Sequence, residues 1–150
     1  MNILFVCTGN TCRSPMAELY FNHLMAEQGK NHSARSAGLS AFPGAEISYQ
    51  SAQVMEQYGI DASEFRSSGL TRYALDAADL IVCMTENHRQ AILDHLPEYE
   101  NKTKTLLEWR SGGDVPDPYG GSVAHYEQTF QVMKEALDAL AGQIITGEND

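Results

Sequence analysis

The chain is short of basic residues, of thiols and of long apolar runs, and each shortage closes off a class of function. Ten Lys and Arg stand against twenty Asp and Glu, a net charge of −10. That balance argues against nucleic acid or an anionic membrane as the main partner. Three cysteines, an odd number, make no disulfide framework and fit a reducing compartment where thiols do chemistry. No apolar run approaches signal or membrane-span length, because the hydrophobic start Ile3-Leu4-Phe5-Val6 breaks at Thr8-Gly9-Asn10. A cytoplasmic protein is therefore expected. Linkers, internal repeats and low-complexity tracts are also missing, so residues 1–150 read as one domain with a single core. His23, His32, His88, His95 and His125 show no metal-ligand spacing, and surface or core roles are expected for them. Nothing in the pattern calls for a metal or cofactor.

What is present alternates between strand and helix. Strands are expected at Asn2 to Val6, Ser33 to Ser36, Leu80 to Met84 and Thr103 to Leu106. Helical patterns run from Pro15 to Glu27, Tyr49 to Tyr58, Asn87 to Leu96 and about Ser122 to Leu140. In the last, Phe130, Met133, Leu137 and Leu140 make one apolar face. The expected fold is a three-layer α/β/α domain with a four-stranded parallel sheet and its site at the carboxyl ends of the strands. Glu148-Asn149-Asp150 is expected to fray.

The chemistry concentrates in Cys7-Thr8-Gly9-Asn10-Thr11-Cys12-Arg13-Ser14, between the first strand and a helix with Pro15 just inside its first turn. Strand, tight loop and helix N-terminus together make an anion site, since backbone N–H groups converge and the helix dipole adds positive potential. That potential favours a thiolate at Cys7 as well as a phosphate, and the thiolate is the nucleophilic form of cysteine. Arg13 can meet phosphate oxygens with paired hydrogen bonds. Gly9 permits the tight turn, Asn10 suits a left-handed backbone, and Ser14 stands where a hydroxyl can reach the Cys7 sulfur. Cys7 and Arg13 are thus catalytic candidates. Thr8, Gly9, Asn10, Thr11, Cys12 and Ser14 are phosphate-binding candidates in a loop after strand 1. A buried core cysteine ending a strand is the plain alternative.

A thiolate that displaces phosphate needs its leaving group protonated. Asp114-Val115-Pro116-Asp117-Pro118-Tyr119-Gly120-Gly121 is a loop by composition. Pro118 pushes Asp117 towards extended backbone, which projects the carboxylate away from any helix. Alone, Asp-Pro is an ordinary turn starter. Beside the Cys-x5-Arg loop, Asp117 becomes the candidate acid.

The two segments together resemble the low-molecular-weight protein tyrosine phosphatase family. The resemblance rests on Cys7, Arg13 and Ser14 in C-T-G-N-T-C-R-S and on Asp117 in D-P-Y, and it covers the whole chain. It includes Ser36-Ala37-Gly38 after the second strand, the strand from Asp79 to Met84 and the acid loop ahead of a last helix. It implies a metal-independent hydrolase acting on phosphorylated protein substrates through a phosphocysteine intermediate. Cys7 would attack phosphorus while Arg13 and the loop N–H groups hold the equatorial oxygens. Asp117 would protonate the leaving group, then act as base for the hydrolytic water.

Family members directed at phosphotyrosine usually carry a bulky apolar residue where this chain has Thr11. The loop with Thr11, and Gly120-Gly121-Ser122 after D-P-Y, look instead like the bacterial protein-arginine phosphatases of the family. A threonine hydroxyl leaves a more polar wall, suited to a guanidinium. Phosphoarginine is therefore favoured over phosphotyrosine. Phe42 and Tyr119 are further pocket candidates; the Tyr119 ring could stack on either group, and Phe42 is equally read as a core or surface aromatic.

Many family members place a histidine after the second helix that helps hold the loop asparagine. Here that turn reads Gly59-Ile60-Asp61-Ala62-Ser63-Glu64-Phe65-Arg66, so either Glu64 or Ser36 is left to brace Asn10. Cys12 permits an oxidised bridge to Cys7, a reversible inactivation that the resemblance supports; filling the underside of the loop is the alternative. Trp109 lines the substrate entrance or pins the acid loop. Two rival functions remain. An arsenate reductase of this fold needs two further neighbouring cysteines, and only Cys83 is left, inside an apolar strand. A phosphocarrier needs no leaving-group acid, which Asp117 speaks against.

Overall fold

The computed structural model describes residues 1–148. Strands β1 (Asn2–Cys7), β2 (Ser33–Gly38), β3 (Leu80–Cys83) and β4 (Thr103–Thr105) form one sheet in the order β2-β1-β3-β4. Every pairing is parallel, as expected for strands joined by helical crossovers. Along β1 the side chains alternate between two buried layers: Ile3, Phe5 and Cys7 face one, Leu4 and Val6 the other. That is why the strand reads as an unbroken apolar run.

The larger layer holds α1 (Arg13–Glu27), α2 (Tyr49–Gln57) and α5 (Val123–Gly147). Phe130 of α5 is its hub, met edge-on by the rings of Tyr20 at 5.3 Å and Tyr58 at 5.1 Å. Each such pair adds about 0.5–1.5 kcal/mol beyond simple burial. The smaller layer holds α3 (Arg72–Ala77) and α4 (Glu86–His95), with Leu75 and Ile92 buried against Val6, Ile81 and Cys83.

β2 is a sheet edge, and α1 closes it. Asn22 donates through Nδ2 to the Ala34 carbonyl at 3.0 Å and accepts the Ala34 N–H at 2.8 Å. One turn earlier, Glu18 accepts the Ser36 hydroxyl at 2.8 Å. The i, i+4 spacing puts both polar side chains on the stripe of α1 that faces the strand.

Several expectations change. α1 begins at Arg13, ahead of Pro15, because first-turn N–H groups need no intrahelical acceptor and Pro15 forfeits no bond there. α3 has no counterpart in the sequence pattern, because its six residues bury only Leu75, too little for a periodic signal. β4 stops at Thr105, where a capping box with Glu108 starts a 3₁₀ turn over Leu106–Trp109. α5 runs on through Gly142 to Gly147, because Ile144 and Ile145 still pack on the core. Glu148 is not loose, since its carboxylate meets Lys30 Nζ at 2.9 Å and also His32; Asn149 and Asp150 lie outside the described residues.

Candidate active site

Cys7 closes β1 and pairs in register with Gly38 on β2, so the loop that follows leaves from the carboxyl end of the sheet. Gly38 is required by close approach. A Cβ there would lie 2.5 Å from the Thr8 carbonyl oxygen, 2.9 Å from Ala41 Cβ and 3.0 Å from the Asn10 nitrogen. Gly38→Ala is expected to cost about 1–3 kcal/mol by overpacking and to lower kcat/KM by shifting the loop. Thermal melts and steady-state kinetics on the one variant check both effects.

Asn10 is the fully buried keystone of the loop, with φ 56°, a left-handed conformation that asparagine tolerates. The Ser68 N–H donates to Asn10 Oδ1 at 2.8 Å, which fixes the orientation of the amide. Its Nδ2 hydrogens then go to Ser14 Oγ at 2.8 Å and Ser36 Oγ at 2.9 Å. Ser36 passes its own proton to Glu18, whose carboxyl is pushed up by burial against the opposing pull of the Ser36 hydrogen bonds. Ser14, already an acceptor, has its proton free for Cys7 Sγ at 2.8 Å, and the Asn10 N–H points at the same sulfur at 3.3 Å. Two donors aimed at one sulfur suit a thiolate. Ser36 and the Ser68 backbone thus brace Asn10, while Glu64 stands in solvent.

Arg13 opens α1 and is 5% exposed. Its Nη1 donates to the Val115 carbonyl at 3.1 Å, and its Nη2 lies 3.8 Å from Asp117 Oδ2. Val115 in turn donates its N–H to the Met84 carbonyl at the end of β3 at 2.9 Å. The acid loop is therefore tied to the sheet and to Arg13 together. Asp117 Oδ1 accepts the Tyr119 N–H at 3.1 Å, a local turn that holds the half-exposed carboxylate at the mouth. Cys12 caps α1 without a side-chain hydrogen bond, leaving first-turn N–H groups to face the loop.

Cys7, Thr8, Gly9, Thr11, Cys12, Arg13, Asp117 and Tyr119 line one cleft of about 240 Å³. Asn10 and Ser14 lie behind it, buried. Tyr119 is 82% exposed and forms its rim, whereas Phe42, equally exposed, is not among the lining residues. Cys12 Sγ lies 3.2 Å from the Tyr126 hydroxyl of α5. Trp109 does not reach the cleft: it packs on the core and donates its indole N–H to Gln143 of α5 at 2.5 Å. Cys83 is fully buried on the other side of the sheet, its thiol pushed up to about 12 by burial, and cannot serve as a relay thiol. Among the described residues no cluster of three metal-ligating side chains occurs, and no helix is long and apolar enough to cross a membrane.

One residue of the site escaped the sequence reading. His88, on the first turns of α4, is 6% exposed, and its Nε2 lies 2.8 Å from Thr8 Oγ1. A lone histidine carries no spacing signal, but its place just past the carboxyl end of β3 is where sheets of this type build sites.

Comparison with known proteins agrees with this geometry. Residues 2–149 match the family model described as low molecular weight phosphotyrosine protein phosphatase. A protein-arginine-phosphatase from Bacillus subtilis is 42% identical over 146 residues, covering 96% of this chain and 97% of its own. The solved structure of YwlE arginine phosphatase from Geobacillus stearothermophilus is 36% identical, with a TM-score of 0.91 over 98% of this chain and 94% of its own. A YwlE arginine phosphatase mutant with a phosphorylated active-site serine in place of cysteine gives 40% identity and a TM-score of 0.91, covering 96% of this chain and 95% of its own. With a Cys-x5-Arg loop after β1, an aspartate at its mouth and a family match spanning nearly every residue, this chain belongs to the low molecular weight phosphotyrosine protein phosphatase family.

Proposed function

We propose that the protein is a phosphoprotein phosphatase that hydrolyses phosphoarginine side chains through a phosphocysteine intermediate. The observation that carries this is the convergence on one small cleft of the Cys7 sulfur, the Arg13 guanidinium and the Asp117 carboxylate. Cys7 attacks phosphorus in line, forming the S–P bond as the N–P bond breaks. Arg13 and the loop N–H groups take up the charge on the three equatorial oxygens. Asp117, protonated, gives its proton to the departing nitrogen, and arginine leaves as guanidinium. Asp117 then removes a proton from water, which attacks phosphorus and breaks the S–P bond. Ser14 and the Asn10 N–H receive the thiolate again. The three free thiols support a reducing, cytoplasmic setting for this chemistry.

Substrate choice turns on Thr11, which lines the cleft with its hydroxyl 3.6 Å from Cys12 Sγ. A small polar wall suits a planar cation, and the arginine-phosphatase relatives support the same reading. Phosphotyrosine is the second reading, since the exposed Tyr119 ring can stack on a phenyl group as well as on a guanidinium. The test is kcat/KM on matched phosphoarginine and phosphotyrosine peptides, with wild type and Thr11→Ile side by side. Wild type is expected to prefer phosphoarginine, and Thr11→Ile to move the ratio towards phosphotyrosine by about 10–200-fold. A wild-type preference for phosphotyrosine, unmoved by the substitution, overturns the assignment.

The paired loop cysteines support reversible oxidative control, in which peroxide converts Cys7 to the sulfenic acid and Cys12 displaces water to form the disulfide. Peroxide followed by dithiothreitol is expected to restore activity in wild type and not in Cys12→Ser. Mass spectrometry showing sulfonic acid on Cys7 and no bridge would reject it.

A further inference from the structure

Under the phosphatase reading above, we infer that His88 is a positioning residue that turns the Thr8 hydroxyl into a side-chain donor for the phosphoryl group. Nε2 of His88 meets Thr8 Oγ1 at 2.8 Å, while Nδ1 is buried with no hydrogen-bond partner among the described residues. If Nε2 accepted from Thr8, the proton would sit on Nδ1 as a buried donor with nothing to receive it. With the proton on Nε2, the orphan at Nδ1 is only a lone pair, the more tolerable of the two. His88 therefore donates, and the Thr8 proton must point elsewhere.

Thr8 lines the cleft with Cys7, Arg13 and Asp117, and its hydroxyl has no second partner among the described residues. Thr8 is exposed at the cleft, so its proton is free to turn towards the space a phosphoryl oxygen would occupy, beside the backbone N–H groups of the loop. The imidazole stays neutral in this role. Burial and the nearby Arg13 charge push its pKa down to about 4, against the weaker opposing pull of Asp114 and Asp117. A doubly protonated ring would strand an Nδ1–H in the core and set a second cation beside Arg13.

The experiment is a double-mutant cycle on the full chain with a phosphoarginine peptide, reading kcat, KM and competitive inhibition by inorganic phosphate. Thr8→Val and His88→Phe are each expected to lower kcat/KM about tenfold, the effect of one lost hydrogen bond, and to weaken phosphate inhibition in parallel. The double variant is expected to be no worse than Thr8→Val alone, and His88→Gln, which can place an amide donor near Thr8, to recover most of the loss. Multiplying losses, or a His88→Gln as impaired as His88→Phe, would make His88 a packing residue and overturn the inference. Should His88→Phe not fold, an unimpaired Thr8→Val overturns it instead. Wild type that leaves phosphoarginine intact fails the phosphatase reading itself, and that outcome is visible before any variant is compared.

Discussion

Cys7→Ser is expected to lower turnover of a phosphoarginine peptide by about 10⁴-fold or more, while inorganic phosphate still binds. The reason lies in what surrounds the sulfur. Ser14 Oγ at 2.8 Å and the Asn10 N–H at 3.3 Å are arranged to hold an anion. A serine hydroxyl at neutral pH does not ionise, and Asp117, the carboxylate that lines the cleft, is needed in its protonated form for the leaving group in that same step. The phosphate-binding groups are expected to stay in place, because Asn10, Gly38 and the start of α1 hold the loop through bonds and contacts that do not involve the sulfur. Steady-state kinetics together with calorimetric titration of phosphate separate the two effects. Full activity in this variant would remove the nucleophile from the scheme, and loss of phosphate binding would show that the thiol also holds the loop.

Asp117→Asn carries the second large effect, an expected drop of about 10²–10⁴-fold in kcat/KM, the usual worth of general acid catalysis. The drop should depend on the leaving group. An aryl phosphate with an acidic phenol leaves without a proton and should be spared, whereas a guanidine nitrogen should not. Folding stability is a useful control. The 3.8 Å approach to Arg13 involves a carboxylate that is 58% exposed, and exposed pairs of this kind contribute about 0–1 kcal/mol. The thermal midpoint should therefore barely move. Rapid-quench measurement of the phosphocysteine gives the rival outcome a clear form: if its breakdown is unchanged in Asp117→Asn, the protein passes phosphate on as a carrier and does not hydrolyse it.

Much of this was legible in the order of residues. The eight positions from Cys7 to Ser14 follow an apolar run and precede a helix, and local geometry does the rest. A strand that ends in a tight turn before a helix aims its N–H groups at one point, whatever the remainder of the chain does. Asn10 in a left-handed conformation and Ser14 against the sulfur follow from the same short-range constraints. The Asp117-Pro118 pair marked an extended carboxylate in a loop, and the alternation of apolar runs with helical periodicity set the three-layer parallel fold.

What the order of residues left undecided was whatever depends on two distant segments meeting. Ser36 and the Ser68 backbone brace Asn10 from 26 and 58 positions away; the sequence leaves Ser36 level with Glu64 for that role, and no local pattern singles out Ser68. His88 reaches Thr8 across 80 positions because β1 and β3 are sheet neighbours, which places the loop after one strand beside the helix after the other. The same logic keeps Trp109, packed on the core and bonded to Gln143, away from the cleft, and Phe42 is exposed and not among the residues that line it. The proposed nucleophile, its arginine and its proposed acid are placed by short-range backbone chemistry, which one sequence carries in full. The partners that orient them exist only once the sheet has brought its carboxyl ends together, because hydrogen-bond partners are chosen by distance in space and not along the chain.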